Sequence, residues 1–115
     1  MSIRERFEQE LITVQQQFME LCDLSAQALQ TAYQAFTKQD IDLALSIIED
    51  DIYINRLEEE ISDKVILLIA RQQPVATDLR RLMVLVKAAG DVERIGDYAV
   101  NIAKETIRIG EQPFV

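Results

Sequence analysis

The sequence contains no histidine and no tryptophan, and only three glycines and two prolines among 115 residues. Without histidine, the chain lacks the most common general base, the imidazole ligands of zinc sites and the Glu-x-x-His pairs of ferritin-like bundles. Sparse glycine and proline, together with abundant Leu, Ile, Ala, Glu and Gln, favour helices over strands. We therefore expect an all-α protein that acts by binding and is not an enzyme.

Other absences limit the compartment and the partners. The single cysteine, Cys22, cannot form an internal disulfide, which favours a reducing compartment. No stretch approaches ~20 uninterrupted apolar residues, and the first residues lack the apolar region of a signal peptide. The net charge of −8 argues against nucleic acid as a partner. We expect one cytoplasmic domain over residues 1–115, without a membrane span.

The apolar pattern predicts three long helices, near residues 3–36, 41–72 and 75–109. Each has apolar residues in the alternating 3-4 spacing of a helix seam, and in the first helix the seam narrows from large residues to alanine. Asp40 can cap the second helix, and Pro74 ends the second helix and begins the third. Because the connections are short, we predict an antiparallel up-down-up three-helix bundle.

The second helix contains two apolar stripes. The first comprises Ile41, Leu45, Ile48 and Ile52, and the second comprises Ile54, Leu57, Ile61, Val65 and Leu68. The change from one to the other predicts that the core face rotates at the middle of this helix. The rotation leaves a polar edge formed by Asp51, Asn55, Glu58, Glu59 and Ser62. Such an edge is either simply exposed or functional.

The seam of the third helix is interrupted by Glu93 and Gly96. A carboxylate on an apolar seam costs several kcal/mol unless it is paired or binds a cation. Asp97 and Asn101 come next on the same side of the helix, and Asp97 adds a like charge one turn after Glu93. Gly90 and Gly96 each cost roughly 1 kcal/mol inside a helix. Glycine is understandable there if a partner helix or an ion approaches the backbone.

Two explanations of Glu93 and Asp97 remain open from spacing alone. In the first, the two carboxylates are paired with an arginine from another helix or hydrated at the edge of the bundle. In the second, they bind a metal ion. Because the chain has no histidine and one cysteine, a metal site must be built from oxygen ligands. Oxygen ligands select a hard cation such as Mg²⁺, Mn²⁺, Ca²⁺ or iron.

Two segments resemble elements of the PhoU family. They are RQQPVATDLR at residues 71–80 and ERIGDYAVNI at residues 93–102. The second contains the E(D)-x-x-x-D motif, with which PhoU-like proteins bind clustered metal ions. The resemblance covers essentially the whole chain. It implies Glu93 and Asp97 as the first-choice metal ligands, and the secondary candidates are Asp51, Asp78, Asp91 and Asn101.

The resemblance also implies a regulatory function. PhoU-like proteins act as negative regulators of phosphate uptake and of the phosphate-starvation response. They link the phosphate ABC transporter and its ATPase to a sensor histidine kinase at the cytoplasmic membrane face. Family members usually contain two three-helix repeats, and this sequence contains one, so it is either a fragment or a one-repeat relative that forms a homodimer. The alternative function is a metal-free structural module for helical oligomerisation or interaction.

Overall fold

The computed structural model describes residues 2–110 and contains three long helices connected by short turns. Helix α1 spans Ile3–Lys38, α2 spans Ile41–Gln72 and α3 spans Ala76–Gly110. Each helix contacts both of the others, and residues 2–110 contain no strand. The predicted all-α class and the up-down-up bundle are confirmed, and the predicted helix ends agree within two residues.

Side-chain caps and left-handed residues define the helix ends. Asp40 Oδ1 accepts a hydrogen bond from the backbone N–H of Leu43 at 3.0 Å, as predicted. Ser2 caps α1 in the same way, through the backbone N–H of Glu5. Both turns pass through a glutamine with positive φ, 53° at Gln39 and 42° at Gln73. This left-handed backbone conformation lets the N–H of each glutamine donate a hydrogen bond to a carbonyl of the preceding helix.

The core consists of two clusters of different character. The larger cluster is formed mostly by bulky side chains: Phe7, Leu11, Val14, Leu21, Ile54, Leu57, Ile61, Val65, Leu68, Leu82 and Ala89. The alanine cluster is formed by Ala32, Ala35, Ala44, Ile47, Ala99 and Ala103. Ser25 lies between them in α1, fully buried, and its hydroxyl oxygen has no hydrogen-bond partner. The predicted narrowing of the α1 seam is therefore correct.

The predicted rotation of the core face in α2 is wrong. Ala44 and Ile47 are buried in the first half of this helix, whereas Leu45 and Ile52 are 44% and 52% exposed. The reason is the alanine cluster, where α2 lies close to the small residues of its neighbours and presents its own small residue. The buried residues of α2 therefore follow one continuous stripe along the helix. Asp51 occupies the position in this stripe between Ile47 and Ile54.

An ion pair between a buried aspartate and a largely exposed arginine joins the N-terminal ends of α1 and α3. Asp78 is 5% exposed and accepts hydrogen bonds from Arg4 and from Arg81, the latter at 3.4 Å. These guanidinium groups, Arg4 foremost, hold the pKa of Asp78 below its usual range. The pair replaces the apolar seam predicted here, since Val75 and Leu79 are exposed.

We expect Gly96→Leu to destabilise the bundle by about 1–3 kcal/mol, because Gly96 is buried and its neighbours are close. A Cβ atom at this position would lie 3.3 Å from two carbon atoms of Ile54. Gly90→Ala is the matched control. A Cβ atom there would have no neighbour within 4 Å, so this variant should gain up to about 1 kcal/mol from helix propensity. Urea unfolding measures both changes, and an unchanged midpoint for Gly96→Leu would contradict the packing.

Candidate metal centre

The contact between α2 and α3 brings carboxylates of the two helices to one edge of the bundle. A Cβ atom at Gly96 would lie 3.5 Å from Asp51 Oδ1, so Asp51 rests against the backbone of α3. Glu93 and Asp97 stand one turn apart on α3, and Asp51 and Asn55 stand one turn apart on α2. Residues with this spacing project from the same side of a helix. With Glu58 of α2, these four residues form what we call the acidic cluster.

Hydrogen bonds within the cluster leave two oxygen atoms unsatisfied. Asn55 Nδ2 donates to Asp51 Oδ2 at 3.2 Å, and Ser62 Oγ donates to Glu58 Oε1 at 3.2 Å. Asp51 Oδ1 and Asn55 Oδ1 are buried and have no hydrogen-bond partner. Because a buried acceptor without a donor costs free energy, both oxygens would gain from a bound cation.

Burial and mutual repulsion make the negative charges of the cluster unfavourable. Burial raises the pKa of Glu93, and the charges of Asp97, Glu58 and Asp51 raise it further. Burial also raises the pKa of Asp51, as does the charge of Asp97, while the hydrogen bond from Asn55 and the positive charge of Lys104 oppose the rise. Within residues 2–110, the ion pairs include none of the four carboxylates. In this part of the chain, no arginine neutralises Glu93 and Asp97.

The structure brings only one of the secondary candidates, Asp51, to the cluster. Asp78 is paired with Arg4 and Arg81, and it precedes Glu93 by about 22 Å along α3. Asp91 is exposed and pairs with Arg94 at 3.3 Å. Asn101 is exposed and lies in the groove between α1 and α3, beside Phe36.

Sequence reasoning placed Asn55 and Glu58 on the polar edge of α2, which it expected to be either exposed or functional, but it did not name them as ligands. It could not place them individually, because it chose the larger Leu45 and Ile52 for the core instead of Ala44 and Ile47. One available signal was the 3-4 series through Ala44, which reaches Asp51. Another was the repetition on α2 of the one-turn spacing between Glu93 and Asp97.

The donors of the cluster fit hard cations, which prefer carboxylate and amide oxygens. Among residues 2–110, however, no group of three or more Asp, Glu or Cys side chains is arranged so that it could hold a metal ion. A bound ion would therefore require rotation of the carboxylates towards it. The same part of the chain has no helix long and apolar enough to cross a membrane.

The bundle and the carboxylate edge together define a helical domain suited to binding through oxygen atoms. The chain belongs to the PhoU family, since the PhoU domain matches residues 18–106. Both segments that resemble PhoU elements overlap this range.

Relatives of known name support this membership. The chain is 38% identical over 104 residues to the phosphate-specific transport system accessory protein PhoU homolog of Aquifex aeolicus, covering 90% of this chain and 47% of that protein. It is 37% identical over 102 residues to the accessory protein PhoU of Escherichia coli, covering 89% and 42%. The crystal structure of PhoU from Pseudomonas aeruginosa matches with a TM-score of 0.88 at 33% identity, covering 91% and 50%. The chain thus spans about half the length of these relatives.

We expect Glu93→Gln and Asp78→Asn to change the pH dependence of stability in opposite directions. The raised pKa of Glu93 means that its ionisation opposes folding. Glu93→Gln should therefore raise the urea midpoint at about pH 7, and the gain should vanish below about pH 4.3, the usual glutamate pKa. The lowered pKa of Asp78 means that its ionisation favours folding. Asp78→Asn should lower the midpoint at neutral pH, and the loss should shrink as the pH falls below about 3.9.

Urea unfolding followed by circular dichroism, with a metal chelator present, measures both profiles. Two variants that shift the midpoint in the same direction at neutral pH would contradict this assignment of the charges.

Proposed function

We propose that the protein is a non-enzymatic, negative regulator of phosphate uptake and of the phosphate-starvation response. In this proposal it works in the cytoplasm as a homodimer, at the inner face of the membrane. It couples the ATPase of a phosphate ABC transporter to a sensor histidine kinase. Its acidic cluster binds a hard metal ion, namely Mg²⁺, Mn²⁺, Ca²⁺ or iron.

Family membership supports the regulatory part of the proposal. The relatives from Aquifex aeolicus and Escherichia coli are named accessory proteins of the phosphate-specific transport system. Their similarity covers about nine tenths of this chain. The matched region includes both the acidic cluster and the buried Asp78.

The metal-binding part rests on one observation, the partly buried acidic cluster without an ion-pair partner in residues 2–110. Glu93 and Asp97 would be the first ligands, and Asp51 Oδ1 and Asn55 Oδ1 would supply further oxygens. A cation would neutralise charges that now repel one another, and it would satisfy two buried acceptors. The remaining coordination positions would be filled by water, which Mg²⁺ in particular retains.

The alternative is a metal-free module for helical interaction. Within residues 2–110, the carboxylates are not arranged to hold an ion, and apolar side chains such as Met19 and Tyr33 are exposed on α1. These observations favour a protein that works through its helical surface alone. Metal titration separates the two possibilities.

We expect Mn²⁺ or Mg²⁺ to raise the melting temperature of metal-stripped protein, because a ligand that binds only the folded state stabilises it by mass action. Glu93→Gln combined with Asp97→Asn should abolish the rise and leave the metal-free fold equally or more stable. Asp91→Asn is the matched control, since it removes an exposed carboxylate of the same helix outside the cluster. Equal responses of parent and double variant would exclude the site, and no response in either would support the metal-free module.

The regulatory part has a separate test in a bacterium from which its own PhoU gene has been deleted. Expression of this chain should restore repression of a phosphate-starvation reporter in phosphate-rich medium, measured against an empty vector. Failure of a well-expressed, folded chain to repress would count against regulation by this domain alone. Comparison with the Glu93→Gln, Asp97→Asn variant would then show whether repression depends on the cluster.

A further inference from the structure

Helix α1 carries a second series of residues with helix-seam spacing, which lies outside the bundle. We call it the outer seam; its members are Ile12, Gln15, Met19, Cys22, Ala26, Leu29, Tyr33 and Phe36. Each comes one position after a residue of the α1 core seam, so the outer seam is turned by about 100° from the core. Met19 and Tyr33 are 59% and 67% exposed. Seven of the eight positions are apolar or aromatic, which is unusual for a solvent-facing stripe of this length.

The charge distribution distinguishes this side of α1 from α2. Between Leu11 and Phe36, α1 contains two charged residues, Glu20 and Asp23. Helix α2 contains eight acids and three bases. Because each copy has a net charge of −8, two copies repel each other wherever α2 faces α2. The outer seam is a long surface on which two copies could meet with little repulsion, and loss of charge is typical of interface cores.

We infer that the outer seam is the contact surface of a homodimer, in which α1 packs antiparallel against α1 of a second copy. The inference deepens the proposed function, which includes a homodimer, by naming its interface. An antiparallel 3-4 series is complementary to itself. Ile12 of one copy faces Phe36 of the other, and Met19 faces Leu29. Cys22 faces Ala26, so small residues lie at the centre of the pair and allow close approach of the helices.

The outer seam supplies about half of the area that a stable pair needs, and exposed residues of α3 extend it. Residues 12–36 span about 36 Å, and a strip about 11 Å wide along them covers about 400 Å² on each copy. A stable pair needs about 800 Å² per partner. Val84 and Tyr98 of α3 are exposed and line grooves shared with Gln15 and Phe36 of the outer seam. Ile95 lies between them in the same series of α3, so a contact that includes this edge of α3 is larger than the outer seam alone.

Disulfide trapping of an Ala26→Cys variant tests both the surface and the direction of the helices. Cys22 of one copy would face the introduced thiol of the other, and air oxidation should give a dimer of twice 13.2 kDa on a non-reducing gel. Cleavage before Asp23 separates the two cysteines, so mass spectrometry can identify each linkage. We expect links between position 22 and position 26. Links of 22 to 22 and 26 to 26 would indicate parallel helices and would overturn the antiparallel arrangement.

Ile66→Cys is the matched control, because it places a second cysteine at an exposed apolar position of α2, and it should crosslink poorly. Sedimentation of the unmodified chain should show a dimer at about 50 μM, within the affinity range of specific pairs. Tyr33→Glu should weaken this dimer by at least about tenfold, since it buries an unpaired carboxylate, whereas Ile66→Glu should not.

A monomeric parent chain, or equal crosslinking of the two cysteine variants, would overturn the inference. Neither readout depends on phosphate or metal, so failure here is distinguishable from failure of the regulatory or metal-binding proposal.

Discussion

The close contact of α2 with α3 at Gly96 determines where the carboxylates of the acidic cluster lie. Without a side chain at Gly96, Ile54 and Asp51 of α2 reach the backbone of α3. The core-facing residues of α2 therefore include the carboxylate of Asp51. It lies at the same height in the bundle as Glu93, the carboxylate among the core-facing residues of α3. A side chain at this position would press on Ile54, because even a Cβ atom would lie 3.3 Å from two of its carbon atoms.

The protein contains two kinds of buried or partly buried carboxylate. Asp78 is almost fully buried but receives hydrogen bonds from Arg4 and Arg81, so its charge holds two helix ends together. Asp51 and Glu93 are less buried and have no ion-pair partner within residues 2–110. Lys104 lowers the pKa of Asp51, but burial and neighbouring acids raise the pKa of both carboxylates. The first arrangement is complete without a ligand, whereas the second has the raised pKa values that a binding site would use.

Helix number, boundaries and direction could be predicted from the sequence because each depends on local chemistry. Asp40 can cap only the helix that begins directly after it, and Pro74 cannot continue α2, so α3 begins two residues later at Ala76. The register of α2 could not be predicted in the same way, because Ala44 and Leu45 are equally compatible with a core stripe until the neighbouring helices are known. The alanines of α1 and α3 decide in favour of Ala44.

Among the site residues, Glu93 could be detected from the sequence as a carboxylate within an apolar series. The contribution of Glu58 could not, because it depends on how α2 and α3 pack. The ion-pair role of Asp78 could not either, because its partner is an arginine 74 residues away.

The division of the core into bulky and alanine clusters has a consequence for motion within the bundle. Alanine buries far less apolar area than leucine or phenylalanine, so the half of the rod around Ala35, Ala44 and Ala103 is held by weaker packing. Its backbone amides should exchange with solvent through local opening more readily than those around Leu11 and Leu82. Asp51 and Glu93 lie where the two clusters meet. An ion that bridges α2 and α3 at this junction would suppress local opening of the more weakly packed half. Binding at one point would therefore rigidify tens of ångströms of helix.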